Sequence, residues 1–333
     1  DADIIINTGL PDRDLFVFDT DTEEQLQVVD GLGTLLYGLA VDNQHRIFVA
    51  QTDARNDANG RAGTLKHGLA EMGNRAFFNQ VTRVNCQESC DTPVRLDLEP
   101  LPPQHPAVGE ALATPYAIEW SVDAQKLFVT AAGSNKLFTL NPDTGEILGR
   151  VDTGAVPRGI ALTDDNEAFV LNAVDNSVTV IDVSETREMQ VQRTINLVDP
   201  TDPDIKAGRR LFNDAGMSTS GTFSCESCHP DGHTDQLIWV LETPVCDVDG
   251  CTQIPPRLTM PVRGARDTGP YHWDGIPGDP FGGNNTASIN ADVEPNCAEN
   301  DPEGCIRVLV DGSLATTMCE VGNCELNSQG QAG

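Results

Sequence analysis

The feature that most constrains the fold is a repeated pair of strand-like segments in the first 200 residues. The first segment of each pair begins at Tyr37, Tyr116 or Arg158, and a short turn containing Asp leads to a second segment that begins at Arg46, Lys126 or Glu167. The second segments alternate apolar and polar residues, as half-buried β-strands do. A further strand-like element lies at 15–19, 137–141 and 178–182. The equivalent residues Phe128 and Phe169 are 41 positions apart.

A period near forty residues with four short strands per unit is typical of β-propeller blades. The sequence therefore predicts a mainly β fold, with about three and a half blades in residues 1–200 and an insertion at about 52–78. Closed propellers typically have about four to eight blades. We therefore expect these blades to be part of a larger propeller.

The composition and the residue pattern of the chain change near residue 200. Residues 200–203 contain two prolines, and Asp204 is placed to cap a short helix through Phe212. Downstream, Gly, Pro, Asp and Cys are frequent and regular periodicity is weak. We predict a second domain over 201–333 that is small, loop-rich and partly α-helical.

The strongest chemical signal is the sequence Cys-Glu-Ser-Cys-His at residues 225–229. Two cysteines spaced in this way can form thioethers with the two vinyl groups of a haem, and the adjacent histidine then faces the iron. A redox dithiol would need a βαβ context, and a zinc site would need a second pair of ligands at suitable spacing. The sequence offers neither. Cys225, Cys228 and His229 are therefore predicted to hold one covalent haem c, with His229 as an iron ligand.

The other eight cysteines fall into four local pairs, each within a short polar loop: Cys86 and Cys90, Cys246 and Cys251, Cys297 and Cys305, Cys319 and Cys324. Zinc is the rival explanation, but no histidine lies near the cluster at 297–324. Local disulfides are favoured, and disulfides persist in oxidising compartments. The sequence thus predicts four disulfides in the second domain and blade loops, and a periplasmic or extracellular location.

Charge narrows the range of partners. The chain has 51 acidic and 21 basic residues, for a net charge of −30, which repels nucleic acid and favours cationic partners. We expect a redox partner protein of basic character, although the acidic surface is equally consistent with a solvating coat. No apolar run is long enough to span a bilayer. A larger assembly or a longer polypeptide is also expected from the incomplete propeller.

Several ordered segments carry a family resemblance. Residues 207–212, the motif at 225–229, and the segments 257–264 and 268–275 resemble the bacterial di-haem cytochrome c peroxidase and MauG superfamily. The repeats before residue 200 resemble YVTN-type propeller blades, in degraded form. Two departures are plain: His272 sits one position earlier than the usual histidine, and one attachment motif is present where the family carries two. The resemblance implies a haem domain fused to a propeller.

The second iron ligand is left open by the residues. His272, in a loop rich in Pro, Gly and aromatic residues, is the favoured candidate. The alternatives are Met260, His233 and an open site. Arg263 and Arg266 are expected to pair with the haem propionates, because arginine pairs bidentately with carboxylates. Tyr271, next to His272, is expected to contact the cofactor. Calcium is a further option, but no motif argues for it.

Three functions follow from these features. The first is an extracytoplasmic cytochrome that transfers single electrons through a haem held by a propeller scaffold. The second is a peroxidase-type or MauG-like oxidoreductase whose second haem lies outside this chain. The third is a surface-layer or adhesive propeller. Iron coordination separates the first two, since two strong side-chain ligands leave no position for peroxide.

Overall fold

The computed structural model describes residues 12–56, 59, 69, 72–239, 257–272, 275–284 and 294–319. The chain divides into two compact units. One comprises Asp1–Asp57 and Arg75–Ser227, and the other comprises Ala58–Asn74 and Cys228–Gly333. The division falls inside the predicted haem motif, whereas the boundary predicted from composition, at residue 200, stays a prediction.

The first unit is built from short strands. They are β1 (Leu15–Phe18), β2 (Gln25–Val29), β3 (Leu35–Val41), β4 (Arg46–Ala54), β5 (Phe77–Asn85), β6 (Val94–Asp97), β7 (Pro115–Ser121), β8 (Lys126–Ala131), β9 (Lys136–Leu140), β10 (Ile147–Asp152), β11 (Pro157–Leu162), β12 (Glu167–Asn172), β13 (Ser177–Asp182) and β14 (Gln190–Asn196).

These strands form three four-stranded antiparallel sheets, β3 to β6, β7 to β10 and β11 to β14, in which each strand pairs with its neighbour in sequence. A two-stranded sheet, β1 with β2, precedes them. This arrangement confirms the predicted mainly β fold with three full blades and a partial one. The expected insertion lies between β4 and β5, which pair from Arg46 opposite Asn85 to Ala54 opposite Phe77. Most of the chain between these strands is outside the described residues.

The first strands of the three full sheets lie next to one another, with β7 in contact with both β3 and β11. Gly38 in β3 shows how closely they approach, because a Cβ atom there would lie 2.4 Å from the carbonyl oxygen of Tyr116 in β7. Each of these strands has a register shift near its start, at residues 36–39, 115–118 and 157–159. Such bulges re-aim side chains. The repeat therefore places an irregular position in the same part of every blade.

Apolar side chains pack between successive sheets. Phe48, Leu127 and Phe138 are among the fully buried members of a cluster between the sheets β3 to β6 and β7 to β10. Phe128 and Ile181 belong to a second cluster, between β7 to β10 and β11 to β14. The alternation seen in the sequence thus supplies both faces of each sheet with core residues.

Helix α1 (Pro203–Asn213) follows the last strand and lies in the first unit. The prediction that Asp204 caps it is wrong: the cap is Asp202, whose side chain accepts a hydrogen bond from the backbone N–H of Asp204 at 2.9 Å. The reason is Pro203, which fits the first turn of a helix because its missing N–H has no partner to bond there. Lys206 in this helix donates to Asp199 at 2.8 Å.

The second unit has little regular structure, as predicted. Its described elements include a short sheet of β15 (Ile238–Trp239) with β16 (Arg257–Leu258), helix α3 (Pro302–Ser313), a wider turn at Leu314–Met318 and three single turns, at Pro230–Gly232, Ala265–Asp267 and Gly282–Asn284. Tyr271 and Leu309 pack together in a small core. Gly278, with φ +67°, is required beside them, because a Cβ atom would lie 2.6 Å from the Tyr271 ring.

Two of the four predicted disulfides lie wholly within the described residues and are confirmed: Cys86–Cys90 and Cys297–Cys305. Cys319 is also disulfide-bonded, but its predicted partner, Cys324, lies outside the described residues. The predicted pair Cys246 and Cys251 lies outside them as well. Across the described part of the chain, no helix has the length and apolar character needed to cross a membrane.

Candidate haem attachment site

The attachment motif forms a single helical turn, α2 (Cys225–Cys228). Ser224 precedes this turn, and its backbone N–H donates to the Ser227 hydroxyl at 3.0 Å. Cys225 and Cys228 are both half-buried, and neither is in a disulfide. Residues three apart on a helix lie on the same face, so the turn puts the two cysteines on one side of the chain. Burial raises the pKa of the Cys225 thiol.

The segment before the motif is anchored to the blades. The side-chain amide of Asn79, in β5, donates to the backbone oxygen of Thr222 at 2.9 Å. The same amide donates to Glu99 at 3.0 Å, and its oxygen accepts from the backbone N–H of Thr114 at 2.9 Å. Asn79, Thr114 and Thr222 are all at most 4% exposed. The position of Cys225 is thus tied to a buried polar network of the first unit.

His229 has the geometry of a histidine that binds a metal. Its Nδ1 atom lies 2.8 Å from the backbone oxygen of Met260. A ring N–H that donates to a backbone carbonyl fixes the tautomer and leaves Nε2 as the free electron pair. Burial lowers the pKa of His229, although its hydrogen bonds to the backbone of Met260 and His233 act in the opposite direction. The ring is therefore favoured in the neutral form that coordinates iron.

A buried carboxylate organises the loop after His229. The backbone N–H of Asp235 donates to the Cys228 oxygen at 3.0 Å. Its side chain accepts from the backbone N–H of Leu237 at 2.9 Å and from the indole N–H of Trp239 at 2.9 Å. Asp235 and Trp239 are 7% and 3% exposed. These bonds fold the chain back against the motif and into β15.

The remaining predicted residues have other described contacts. Arg263 donates from Nε to the backbone oxygen of Asp231 at 2.7 Å, and Arg266 lies 3.5 Å from Glu303 in an exposed ion pair. Tyr271 is 2% exposed, and its hydroxyl donates to the backbone oxygen of Ala265 at 2.7 Å. Their expected roles toward the haem stay predictions.

His272 is exposed and has a positive φ of 62°. His233 lies in the single turn that directly follows His229, and its backbone N–H donates to the oxygen of Pro230 at 2.9 Å. Both histidines, like Met260, lie in the second unit. In the described residues no three His, Cys, Asp or Glu side chains form a metal-binding group, so the calcium option gains no support.

Two contacts of the motif were not identified from the sequence. The acceptor for His229 is a backbone oxygen, which has no sequence signature, 31 residues away. Glu226, inside the motif, pairs with Arg158 of β11 at 2.6 Å. A signal for the second contact existed, because Arg158 occupies the repeat position at which Tyr37 and Tyr116 stand.

The residues present fit a c-type haem. Two cysteines outside any disulfide stand at the required spacing, and the histidine that follows them is half-buried, is oriented by its Nδ1 bond and has a pKa that burial lowers. When bound, the haem would supply one-electron redox chemistry at its iron. Cys225 and Cys228 would hold it covalently, and His229 would ligate the iron from the proximal side.

Solved structures resemble parts of the chain. The hydrazine synthase of Kuenenia stuttgartiensis is 16% identical with a TM-score of 0.39, over 50% of this chain and 51% of that chain. Virginiamycin B lyase from Staphylococcus aureus is 16% identical with a TM-score of 0.31, over 50% and 42%. AztD from Citrobacter koseri is 10% identical with a TM-score of 0.31, over 55% and 38%. The match thus spans about half or less of each of these proteins.

No curated protein matches the chain. A family model does match, over residues 202–276, and its family is the di-haem cytochrome c peroxidases. The matched segment begins at the cap of α1 and contains the attachment motif, the Met260 acceptor and His272. The similarity to this haem family therefore concerns the part of the chain that holds Cys225, Cys228 and His229.

Proposed function

We propose that this chain carries one covalent haem c and transfers single electrons through it. The observation that carries the proposal is the conjunction of two cysteines outside any disulfide, on one helical turn, with a histidine whose Nδ1 atom is held by the Met260 oxygen. Other cysteines of this chain form disulfides. Two cysteines that do not, at the spacing of a haem attachment motif and directly before a histidine, are accounted for by thioether formation.

The contacts around His229 bear on the sixth iron ligand. Nδ1 of His229 is held by the Met260 backbone oxygen, so Nε2 would be the atom that binds the iron. His233 is held in the turn next to the same ring. Met260 and His233 are thus both held beside His229, whereas a second iron ligand would have to come from another part of the chain. These contacts support His272 as the sixth ligand, and bis-histidine coordination gives a lower potential than His/Met coordination.

The second candidate is an oxidoreductase of the peroxidase type, and the family match over 202–276 favours it. In that case the second haem is supplied by a region outside this chain. A five-coordinate iron, open to peroxide, distinguishes this function from a simple carrier. The spectrum of the ferric protein decides between the two, because a six-coordinate bis-histidine haem is low-spin.

Haem loading is tested first. Intact-mass measurement should show one haem that survives acid–acetone extraction, and the double change Cys225→Ala with Cys228→Ala should abolish it. A matched control, Cys86→Ser with Cys90→Ser, removes two cysteines from a disulfide and should keep the haem. Extraction of the haem from the native protein would refute the proposal.

The ligand set is tested next by spectroscopy. His272→Ala should shift the haem toward high spin and open a position for carbon monoxide, whereas Met260→Leu should leave the spectrum unchanged because only its backbone oxygen is used. A native spectrum that is already high-spin would favour the peroxidase function over the carrier. Loss of a sulfur-to-iron band in Met260→Leu would refute His272 as the ligand.

The location and partner are part of the same proposal. Confirmed disulfides support an oxidising compartment, periplasmic or extracellular. The net charge of −30 supports a basic redox partner that docks by charge. Association with such a partner should slow steeply as salt increases, since the Debye length falls to about 3 Å at 1 M. A rate independent of salt would refute a charge-guided partner.

A further inference from the structure

One position of the blade repeat connects the first unit to the haem attachment helix. Tyr37, Tyr116 and Arg158 are equivalent residues in β3, β7 and β11. Each lies at the register shift of its strand. Bulges change the direction in which a side chain leaves the sheet. The same local irregularity thus presents two phenol rings and one guanidinium along three neighbouring strands.

These three side chains are stacked in sequence. The rings of Tyr37 and Tyr116 have centroids 4.8 Å apart, and the guanidinium carbon of Arg158 lies 4.9 Å from the centroid of the Tyr116 ring. Arginine packs well on aromatic faces, and an aromatic platform restricts its rotamers. Burial raises the pKa of Tyr37 far above its usual value, and the charge of Glu226 adds to that effect. The stack of Tyr37, Tyr116 and Arg158 thus ends in a guanidinium group whose orientation is restricted by the Tyr116 ring.

That cation meets the attachment helix. The Nη2 atom of Arg158 is 2.6 Å from a carboxylate oxygen of Glu226, and their side chains are 21% and 10% exposed. Glu226 directly follows Cys225, the residue predicted to form the first thioether. A carboxylate this close to a haem would stabilise the ferric iron, which carries one more positive charge than the ferrous iron. The arginine compensates that carboxylate.

We infer that Arg158 is a positioning residue that orients the attachment helix through Glu226, and that this ion pair sets the reduction potential of the haem. The inference rests on the proposed function, because it needs a covalent haem at Cys225. It assigns a role to the departure of the third blade from the tyrosine found in the first two. The two charges shift the reduction potential of the iron in opposite directions. Their separate effects can therefore be measured in single variants.

The test is potentiometric titration of the haem absorbance in the full chain. Arg158→Gln removes the positive charge paired with Glu226 and should lower the potential. Glu226→Gln removes the negative charge paired with Arg158 and should raise it. The double variant should return toward the native value, and Arg158→Lys, which keeps the charge, should stay close to it. Arg193→Gln is the matched control, since it removes the same charge from an ion pair between Arg193 of β14 and Glu167 of β12, and its shift should be much smaller.

Each result bears on the inference. Shifts of the same sign in Arg158→Gln and Glu226→Gln would refute it, because general loosening of the site or entry of water moves the potential in one direction only. A shift in Arg158→Gln no larger than that in Arg193→Gln would refute it as well. If Arg158→Gln does not accumulate, Glu226→Gln must still raise the potential and Arg158→Lys must still preserve it. If the native chain has no covalent haem, the titration shows no haem absorbance. That result refutes the proposed function itself and is distinct from a failure of the ion-pair inference.

Discussion

Asn79 provides the sharpest test of how the blades hold the attachment segment. Its amide is 2% exposed and makes three hydrogen bonds, with Glu99, Thr114 and Thr222. The change Asn79→Leu keeps the volume and removes all three bonds. It leaves the buried N–H of Thr114 and the buried oxygen of Thr222 without these partners, at about 1–3 kcal/mol each. We therefore expect a loss of about 2–6 kcal/mol in the free energy of unfolding.

Urea unfolding followed by circular dichroism measures this loss, and the midpoint should fall without a change in slope. Asn85→Leu is the control, because Asn85 lies in the same strand and its side-chain amide donates to Asp91 at an exposed site, where substitutions usually stay within about 0.5 kcal/mol. Haem loading of Asn79→Leu should also fall, since Thr222 lies three residues before Cys225. A loss below about 1 kcal/mol with normal haem content would show that this network does not hold the segment.

Three further outcomes are expected. Tyr271→Phe should lower the free energy of unfolding by about 1 kcal/mol, because the hydrogen bond to Ala265 is lost. The haem spectrum should not change. A changed spectrum would indicate that the hydroxyl contacts the cofactor instead. Peptide mapping without reductant should recover Cys297 linked to Cys305. Cys305→Ser should lower the free energy of unfolding by about 2 kcal/mol, from the loop-entropy relation. Alkylation of both thiols in the native protein would contradict this disulfide. Hydrogen bonds from Lys206 and Thr201 lower the pKa of Asp199 from 3.8 to about 2. Ionised Asp199 therefore stabilises the fold above about pH 4, and this stabilisation is lost as the pH falls through about 2. Asp199→Asn should remove this part of the acid dependence, and an acid unfolding curve that does not change in the variant would contradict this prediction.

The strands of the first unit were predictable because their signals are local. The segments beginning at Lys126 and Glu167 carry an alternating pattern, and the structure places strands β8 and β12 there. Repetition at a fixed interval then extends a local signal to a whole architecture. The cap of α1 was misplaced by two residues, since Asp202 and Asp204 are equally good caps by residue type. Only the proline between them decides where the first turn begins.

The candidate site could be proposed from the sequence where its chemistry fixes a residue spacing, and could not where it depends on long-range contacts. The two cysteines and the histidine of a c-type haem motif are close together in the sequence, so the pattern can be recognised there. Haem binding by these three residues stays a prediction. The Met260 oxygen that orients His229 is a backbone atom, and any residue at that place would supply it. No pattern of residue types encodes such an acceptor. The same holds for Thr222, which Asn79 holds by its backbone oxygen.

Positions at which one blade differs from the others in residue type are also informative about contacts outside the repeat. Tyr37 and Tyr116 keep the same residue at the bulge of their strands, and Arg158 replaces it where an acidic residue from outside the repeat must be met. Core positions of repeated blades are under the same packing demand in every copy, so a change there costs stability. A charged replacement at a partly buried repeat position persists only if it gains a partner. The departure at Arg158 is therefore explained by its contact with a segment outside the repeat, and its partner Glu226 directly follows Cys225, the first cysteine of the predicted haem motif.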